Sequence, residues 1–520
     1  MKIVDVCRPG VGCGLRFLRQ ATLLVGLATW AGSTGFAGDE GAVVLCADRI
    51  WIGNGDVLEP GQILVQNGRI AALGTLVDAP WSVPRWRVGG GTLTPGLIDA
   101  NARLESSAVV ARRESPRVPG AERSDIARAH EHEHAHEHEH EHEVRAGGQG
   151  NEIASDYSAI EDLTDDCCLL VDPTLPPLDP DGGSASGVGP SWVVTDQTAE
   201  VVPQNRVLDA LDIETLDLTR LVRGGVTTVY VSPDSSAVIG GRGAVLRTAG
   251  RDRVVRAAGA VKATIGSDPI WLGTRNFSLF FAREAGRFHR RPTSAMGVTW
   301  VFRKAFFDAQ RRSQGRPVGG ADTPSAEALE VLVGVLAGDT ELRIQARRQI
   351  DILTAFRLAS EFGLQFTLEE ATEAYLCLDE IRAAGTPVIF GPIFERAQGV
   401  RGFSGEADRA RFHTFRALLA QGIPTALSAQ ELRDEDGLAR QGMYARRFGS
   451  SEQEVLRALT ETPAKLLGID GDTGTLSVGK RADLVLWTGG PFEATSQPAL
   501  VMVGGESVWS TRDLRATEVW

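Results

Sequence analysis

Imidazole is the side chain that most often holds a catalytic metal, and its distribution in this chain is lopsided. Of nine histidines, seven stand at His130, His132, His134, His136, His138, His140 and His142, alternating with Glu in the run 130–143 (HEHEHAHEHEHEHE). In an extended segment that alternation places all seven on one side. Clustered imidazoles take Zn, Ni or Cu, and Zn or Ni are the metals expected here. The interleaved Glu favours protonated imidazole, so binding should weaken as pH falls. The same composition also suits an acidic spacer with incidental metal affinity. The other two, His289 in GRFHRRP and His413 in a helical pattern, read as surface or packing residues.

Other groups offer less. Gly240-Gly241-Arg242-Gly243 could cradle an anion or form a tight turn. Asp209–Glu214 carries three carboxylates among Leu208, Leu211 and Leu216, which suggests a helix with its charges in water. Cys46, Cys167, Cys168 and Cys377 follow Cys7 and Cys13 with no C-x-x-C spacing, so they are expected to be buried thiols or to form one disulfide. The formal charge of −13 and the lack of a basic run argue against nucleic acid as a partner. No stretch reaches the roughly 18 apolar residues of a membrane span.

The N-terminus reads as a secretory signal. Lys2, Arg8, Arg16 and Arg19 precede the apolar stretch Ala21–Ala31, and Gly35-Phe36-Ala37 suits cleavage after Ala37. The expected location is therefore secreted or periplasmic. A short buried helix is the other reading of 1–37.

The elements that must position any site alternate in type. Val43–Leu45, Ile50–Ile52, Ile63–Val65 and Arg69–Leu73, with a turn at Asn67-Gly68, predict strands near the start. Residues 482–487, 500–503 and 507–509 predict strands near the end. A composite β-sandwich domain built from 41–95 and 470–515 is expected. Between them, Leu97–Asp99, Val226–Val231, Val261–Ile265, Leu342–Ile344, Leu364–Leu368, Pro387–Phe390 and Pro424–Leu427 predict strands separated by helices such as 351–362 and 410–421. Strand then helix, repeated over 96–469, predicts an α/β (β/α)8 TIM barrel. Residues 104–200, rich in Pro, Gly, Ser and Asp beyond the His tract, predict an irregular insertion.

Three segments carry a family resemblance. GTLTPGLIDANAR (91–103) resembles a segment usually read P-G-L-I-D-x-H-x-H. LVRGGVTTVYVSPDSSAVIGGRGAVL (221–246) is similar to a second-strand region, and ALTETPAKLLGIDGDTGTLSVGKRADLVLW (458–487) to the return into a small β domain. The family is the amidohydrolase superfamily, in its imidazolonepropionase-like and prolidase-like branch. The resemblance implies a metal-dependent hydrolase barrel with one or two divalent ions at its C-terminal mouth. These are held by two His after strand one, one His after each of strands five and six, and an Asp after strand eight. Such an ion lowers the pKa of bound water to about 7, and the Asp acts as general base and acid.

Carried over residue by residue, that ligand set is missing. Asn101 and Arg103 stand where the two His belong. Gln345 and Arg347, in LRIQARRQIDI (342–352), replace a His-Ala-His. Glu370, in LEEATEAY (368–375), replaces the next His, and Gln430, in ALSAQE (426–431), the Asp. A guanidinium repels a cation and an amide nitrogen is no ligand. Arg103 and Arg347 are expected to point into the space of the ions, with Glu370 and Glu431 facing them and Arg103 paired to Glu370. No cofactor is expected in the barrel. Two functions follow from the resemblance. One is a non-catalytic homologue that binds a small-molecule ligand, a partner (a second copy or an active homologue) or, through its tract, metal. The other is an active hydrolase of carbon–nitrogen bonds.

Overall fold

The computed structural model describes residues 41–104, 199–216, 218–271, 291–393, 400–430 and 437–511. Residues 1–40, which include the expected signal, nearly all of the 104–200 segment with its His tract, His289 and Glu431 lie outside them.

Strands follow in the order β1 (Val43–Trp51), β2 (Val57–Leu58), β3 (Gly61–Gln66), β4 (Arg69–Gly74), β5 (Arg85–Pro95) and β6 (Leu97–Ala102). Then come β7 (Val226–Val231), β8 (Ile239–Arg242), β9 (Ala244–Arg247), β10 (Val254–Arg256) and β11 (Val261–Thr264). The chain closes with β12 (Leu342–Ala346), β13 (Thr367–Glu370), β14 (Val388–Phe390), β15 (Thr425–Leu427), β16 (Leu484–Trp487), β17 (Pro498–Val503) and β18 (Glu506–Ser510).

Both ends of the chain build one sheet, in the order β18-β17-β16-β5-β1-β3-β4, with β2 on β1. Where a sandwich was expected, the strand pairing is a single continuous path. Val43 to Ile50, predicted as two strands, runs as one. The edges of this sheet nevertheless share a core. Leu45, Ile63, Val65 and Ile70 pack in one cluster with Leu484, Leu486, Leu500 and Met502, so the sheet curls. At the seam the Ala482 N–H donates to the Gly68 carbonyl at 2.9 Å. A Cβ on Gly68 would lie 2.6 Å from the Gly504 oxygen. With its φ of +75°, the position requires glycine on both counts.

β5 runs into β6 through Gly96, where a Cβ would meet the Thr227 hydroxyl at 2.1 Å. That close approach brings β6 beside β7, in parallel. β7 is Val-Thr-Thr-Val-Tyr-Val and buried at every position, as β-branched strands covered on both faces are. β11, β12, β13, β14 and β15 pair in parallel succession. Helices of the expected kind lie between. Gln349–Phe362 stops at left-handed Gly363, and Glu452–Leu459 starts in a Ser451/Glu454 capping box.

Two features depart from simple repetition. After β7 the chain doubles back, so that β9 pairs antiparallel to β7 and β8 antiparallel to β11. Gly240–Gly243, read as an anion cradle or turn, is therefore strand interrupted at Gly243, where a Cβ would meet the Tyr230 ring at 2.3 Å. The helix expected over Asp209–Glu214 is instead two short 3-10 turns, Val207–Asp209 and Ile213–Thr215, because the Asp212 carboxylate caps the second by accepting from the Glu214 N–H. Among the described residues no ladder joins β15 to β6. The Asp99 carboxylate bridges them, accepting from Ser428 Oγ at 2.7 Å and the Ala429 N–H at 3.1 Å.

Candidate functional site

Alternation along β12 puts Arg343, Gln345 and, one residue past the strand, Arg347 on one face, and all three are buried. β6 sends Asp99 and Asn101 to the same space, followed by Arg103. β11 contributes Lys262, and β13 contributes Glu369 and Glu370. Asp268 follows β11, and Arg401 and Glu406 come from the segment after β14.

The lower layer is a buried triad. Lys262 Nζ donates to Glu369 Oε2 at 3.0 Å and to Ser232 Oγ at 3.0 Å. Arg343 reaches the other Glu369 oxygen at 3.2 Å and the Ala100 carbonyl at 2.7 Å. The Arg343 guanidinium lies 3.7 Å above the Tyr230 ring. Burial pushes the Lys262 ammonium down, and Glu369 opposes it. Burial also pushes the Tyr230 phenol up to about 12.

Above it, Arg347 is the hub. Its Nη1 donates to Asp268 Oδ1 at 2.8 Å and to Glu406 Oε2; its Nη2 donates to Asp268 Oδ2 at 2.7 Å and Glu370 Oε1 at 3.3 Å; its Nε donates to Glu370 Oε2. A guanidinium has five N–H bonds, so every donor of Arg347 is engaged, by three buried carboxylates. Burial alone would raise the Asp268 and Glu370 carboxyls. Arg347, joined at Glu370 by Arg401, outweighs it and holds Asp268 below, and Glu370 well below, the ordinary carboxylate range. Burial would likewise lower Arg347, but Asp268 and Glu370 hold it well above its usual value.

The remaining site residues are buried too, apart from the partly exposed Arg103. Arg401 Nε donates to Glu370 Oε2 at 3.0 Å, and its Nη2 donates to Gln430 Oε1. Arg103 Nη2 donates to Ser235 Oγ at 2.8 Å, Ser235 to Gln345 Oε1 at 2.6 Å, and Gln345 Nε2 to Asp268 Oδ2 at 2.7 Å. Arg103 is 20% exposed and lies 3.9 Å from Glu370. The structure thus brings Arg103, Gln345, Glu370 and Gln430 into one network, but Glu370 belongs chiefly to Arg347 and Arg401 rather than to Arg103. Both Asn101 side-chain atoms are buried and unpaired. Glu370 and Gln430 hold φ of +66° and +53°. Left-handed backbone costs an ordinary residue about 1 kcal/mol or more, and such strain collects at functional sites.

These donors do not fit a divalent ion. Asn101, Gln345 and Gln430 are amides, and Arg103 and Arg347 are cations. The one carboxylate of the carried-over set, Glu370, has both oxygens occupied by guanidinium groups. Among the described residues no three His, Cys, Asp or Glu are grouped to hold a metal.

Lys262, Asp268, Glu369, Arg343, Arg401 and Glu406 were not singled out from sequence. Lys262 and Arg343 left a trace, each being one charge inside an apolar strand run. Asp268, Arg401 and Glu406 sit in loops or a four-residue helix and left none.

Parallel strands with polar residues gathered at their C-terminal ends, and a curled sheet made by both chain ends, define an amidohydrolase-type fold. The chain aligns over 90% of its length with the whole of an amidohydrolase from Thermotoga maritima MSB8, with a TM-score of 0.64 at 21% identity. A model of the Amidohydrolase family matches residues 426–508. An imidazolonepropionase of Rhizorhabdus wittichii is 25% identical over 462 residues, covering 85% of this chain and 93% of that one. Amidohydrolase tasK of Hapsidospora irregularis is 23% identical over 326 residues, which is 59% of this chain but 32% of that protein. The chain thus shares the fold of the Thermotoga amidohydrolase and resembles these amidohydrolases in sequence.

Proposed function

We propose that this protein is a non-catalytic member of its superfamily, in which a fixed guanidinium takes the electrostatic place of the catalytic metal. The observation that carries the reading is Arg347, whose five donors are all engaged by Asp268, Glu370 and Glu406. A hydrolytic metal works by keeping one position open for water. A saturated guanidinium has no such position, and it cannot deprotonate water.

On this reading the parallel strands form the (β/α)8 barrel of the family, with β8 and β9 in place of a regular strand and the curled sheet as its sandwich. Residues 1–37 export the chain to the periplasm or medium. The tract 130–143 takes Zn or Ni independently of the barrel. The barrel mouth serves a small-molecule ligand or a partner, either a second copy or an active homologue.

Metal analysis of the purified full chain and of a variant lacking residues 130–142 tests this. Any zinc or nickel of the full chain should disappear with the tract. About one equivalent of zinc, manganese or iron retained by the deletion variant, with turnover of an N-acyl, lactam or imide substrate, would instead establish the carbon–nitrogen hydrolase that the imidazolonepropionase relative suggests.

A further inference from the structure

At the other end of β6 and β7, away from the ion-pair network, a cavity of about 300 Å³ opens between β7, β9 and the loop 468–473. Thr228, Arg247, Val255, Ile469, Asp472 and Asp483 line it. Its volume is at the low end for small-molecule sites, which run from about 300 to 1,000 Å³ and pair apolar walls with a few placed polar groups. It shares no residue with the network around Arg347.

The polar groups are incompletely matched. Asp483 is buried. Its Oδ1 accepts the Gly504 N–H at 2.6 Å, while Oδ2 has no hydrogen-bond partner. The nearest cation to Oδ2, Arg481 Nε, stands off at 3.8 Å, and this Nε also lacks a partner. Arg247 holds the Asp252 carbonyl through Nη1 at 2.6 Å, but its Nη2 reaches Asp472 only at 3.5 Å, the edge of hydrogen-bond range. Burial pushes the Asp483 carboxyl up, against the Gly504 N–H, Arg481, Arg247 and the Thr473 side chain. A buried carboxylate oxygen without a donor is costly. A cationic donor entering the cavity would satisfy it, and the Arg247 arm held only at 3.5 Å by Asp472 could turn to an anion. The walls between them, Val255 and Ile469, are aliphatic.

We propose that this cavity binds a small zwitterion of amino-acid size with an aliphatic side chain. Its ammonium group meets Asp483, its carboxylate meets Arg247, and its side chain lies on Val255 and Ile469.

Calorimetry and thermal shift on the full chain test the proposal with L-leucine, L-leucine amide and isocaproate. The second lacks the carboxylate and the third the ammonium. Leucine should bind saturably, and each analogue about tenfold or more weaker, the loss expected for one charge-assisted hydrogen bond. Asp483→Asn should weaken leucine by a similar factor and leave isocaproate unchanged. Val255→Phe, at a half-buried position on β10, fills the cavity without touching Asp483 and should abolish binding. Three outcomes overturn the proposal: no saturable binding by any of the three compounds, equal binding by all three, or leucine binding untouched by Val255→Phe.

Discussion

Replacing Arg347 by methionine keeps much of the side-chain volume and removes the charge shared by Asp268, Glu370 and Glu406. Glu370 retains Arg401 at 3.0 Å, but Asp268 keeps only the Gln345 amide at 2.7 Å. Removing one partner from a buried ion pair costs about 3–5 kcal/mol, because the other is left uncompensated. With three carboxylates affected, at least about 4 kcal/mol is expected at pH 7. The pH dependence carries more information than the size. In the wild type, Asp268 and Glu370 have folded-state pKa values below their unfolded ones. Their contribution is therefore present above the unfolded values of about 4 and is lost as pH falls through the folded ones. In Arg347→Met, burial of Asp268 is opposed only by the charge of Arg103 and the Gln345 amide, so its folded pKa is expected to rise above its unfolded value. Its contribution then runs the other way, present in acid and lost as pH climbs from about 4 through the raised value. The gap between wild type and variant should thus narrow as pH is lowered from 8 to 5. Urea unfolding followed by tryptophan fluorescence at several pH values measures it, and Arg347→Lys should recover part of the loss by restoring charge without the fork. A gap below about 1 kcal/mol at pH 7, or one constant from pH 5 to 8, refutes the assignment of Arg347 as the neutralising cation.

Three further outcomes are expected. Lys262→Met and Glu369→Gln should each cost about 3 kcal/mol or more, yet the double variant should cost less than their sum; additivity within about 0.5 kcal/mol in urea unfolding would mean that the pair is not coupled. Arg103→Ala should cost about 1 kcal/mol or less, since its side chain is 20% exposed and 3.9 Å from Glu370, and a loss above about 2 kcal/mol would make Arg103 an essential part of the buried network. An isolated peptide spanning 130–143 should bind zinc at mildly basic pH and release it below about pH 6 as imidazole protonates; unchanged binding in acid would assign the affinity to the carboxylates.

The strands that carry the site were legible because their apolar runs are short and bounded, as in Val226–Val231, which the structure reproduces residue for residue. The reversal at β8–β9 was not, because Gly240, Gly241 and Gly243 look like a turn in one dimension. There, glycine serves close packing instead, under the Tyr230 ring at Gly243 and against the Asn205 carbonyl at Gly241. Within the site, Arg103, Gln345, Arg347, Glu370 and Gln430 could be proposed from the family pattern, since each stands at a strand end with a defined counterpart. Their wiring could not. Asp268 and Glu406 complete the shell of Arg347, yet they come from a four-residue helix and a loop whose place over the strand ends is a tertiary fact. A pairwise reading put Arg103 against Glu370, and the two do lie 3.9 Å apart, but it missed that Arg347 and Arg401 hold Glu370 more closely.

The charge count explains how such a site stays ordered. Arg103, Lys262, Arg343, Arg347 and Arg401 stand among Asp99, Asp268, Glu369, Glu370 and Glu406. Asp99 is held by hydrogen bonds alone, and burial pushes its carboxyl up. Without Arg347, the carboxylates of Asp268 and Glu406 would lose the guanidinium they share, at a cost of several kcal/mol, a large part of the roughly 5–15 kcal/mol by which a domain is stable. A guanidinium supplies one charge and five directed donors, is tethered covalently, and stays protonated at any physiological pH. It preserves the part of a metal's role that concerns folding, which is neutralisation and cross-linking of strand ends. It omits the part that concerns hydrolysis, which is an exchangeable position where water is acidified. On the proposed reading, a scaffold with buried carboxylates at its strand ends keeps its order without a metal when the cation among them is fork-shaped, and this is why Arg347→Lys is expected to recover charge but not full stability.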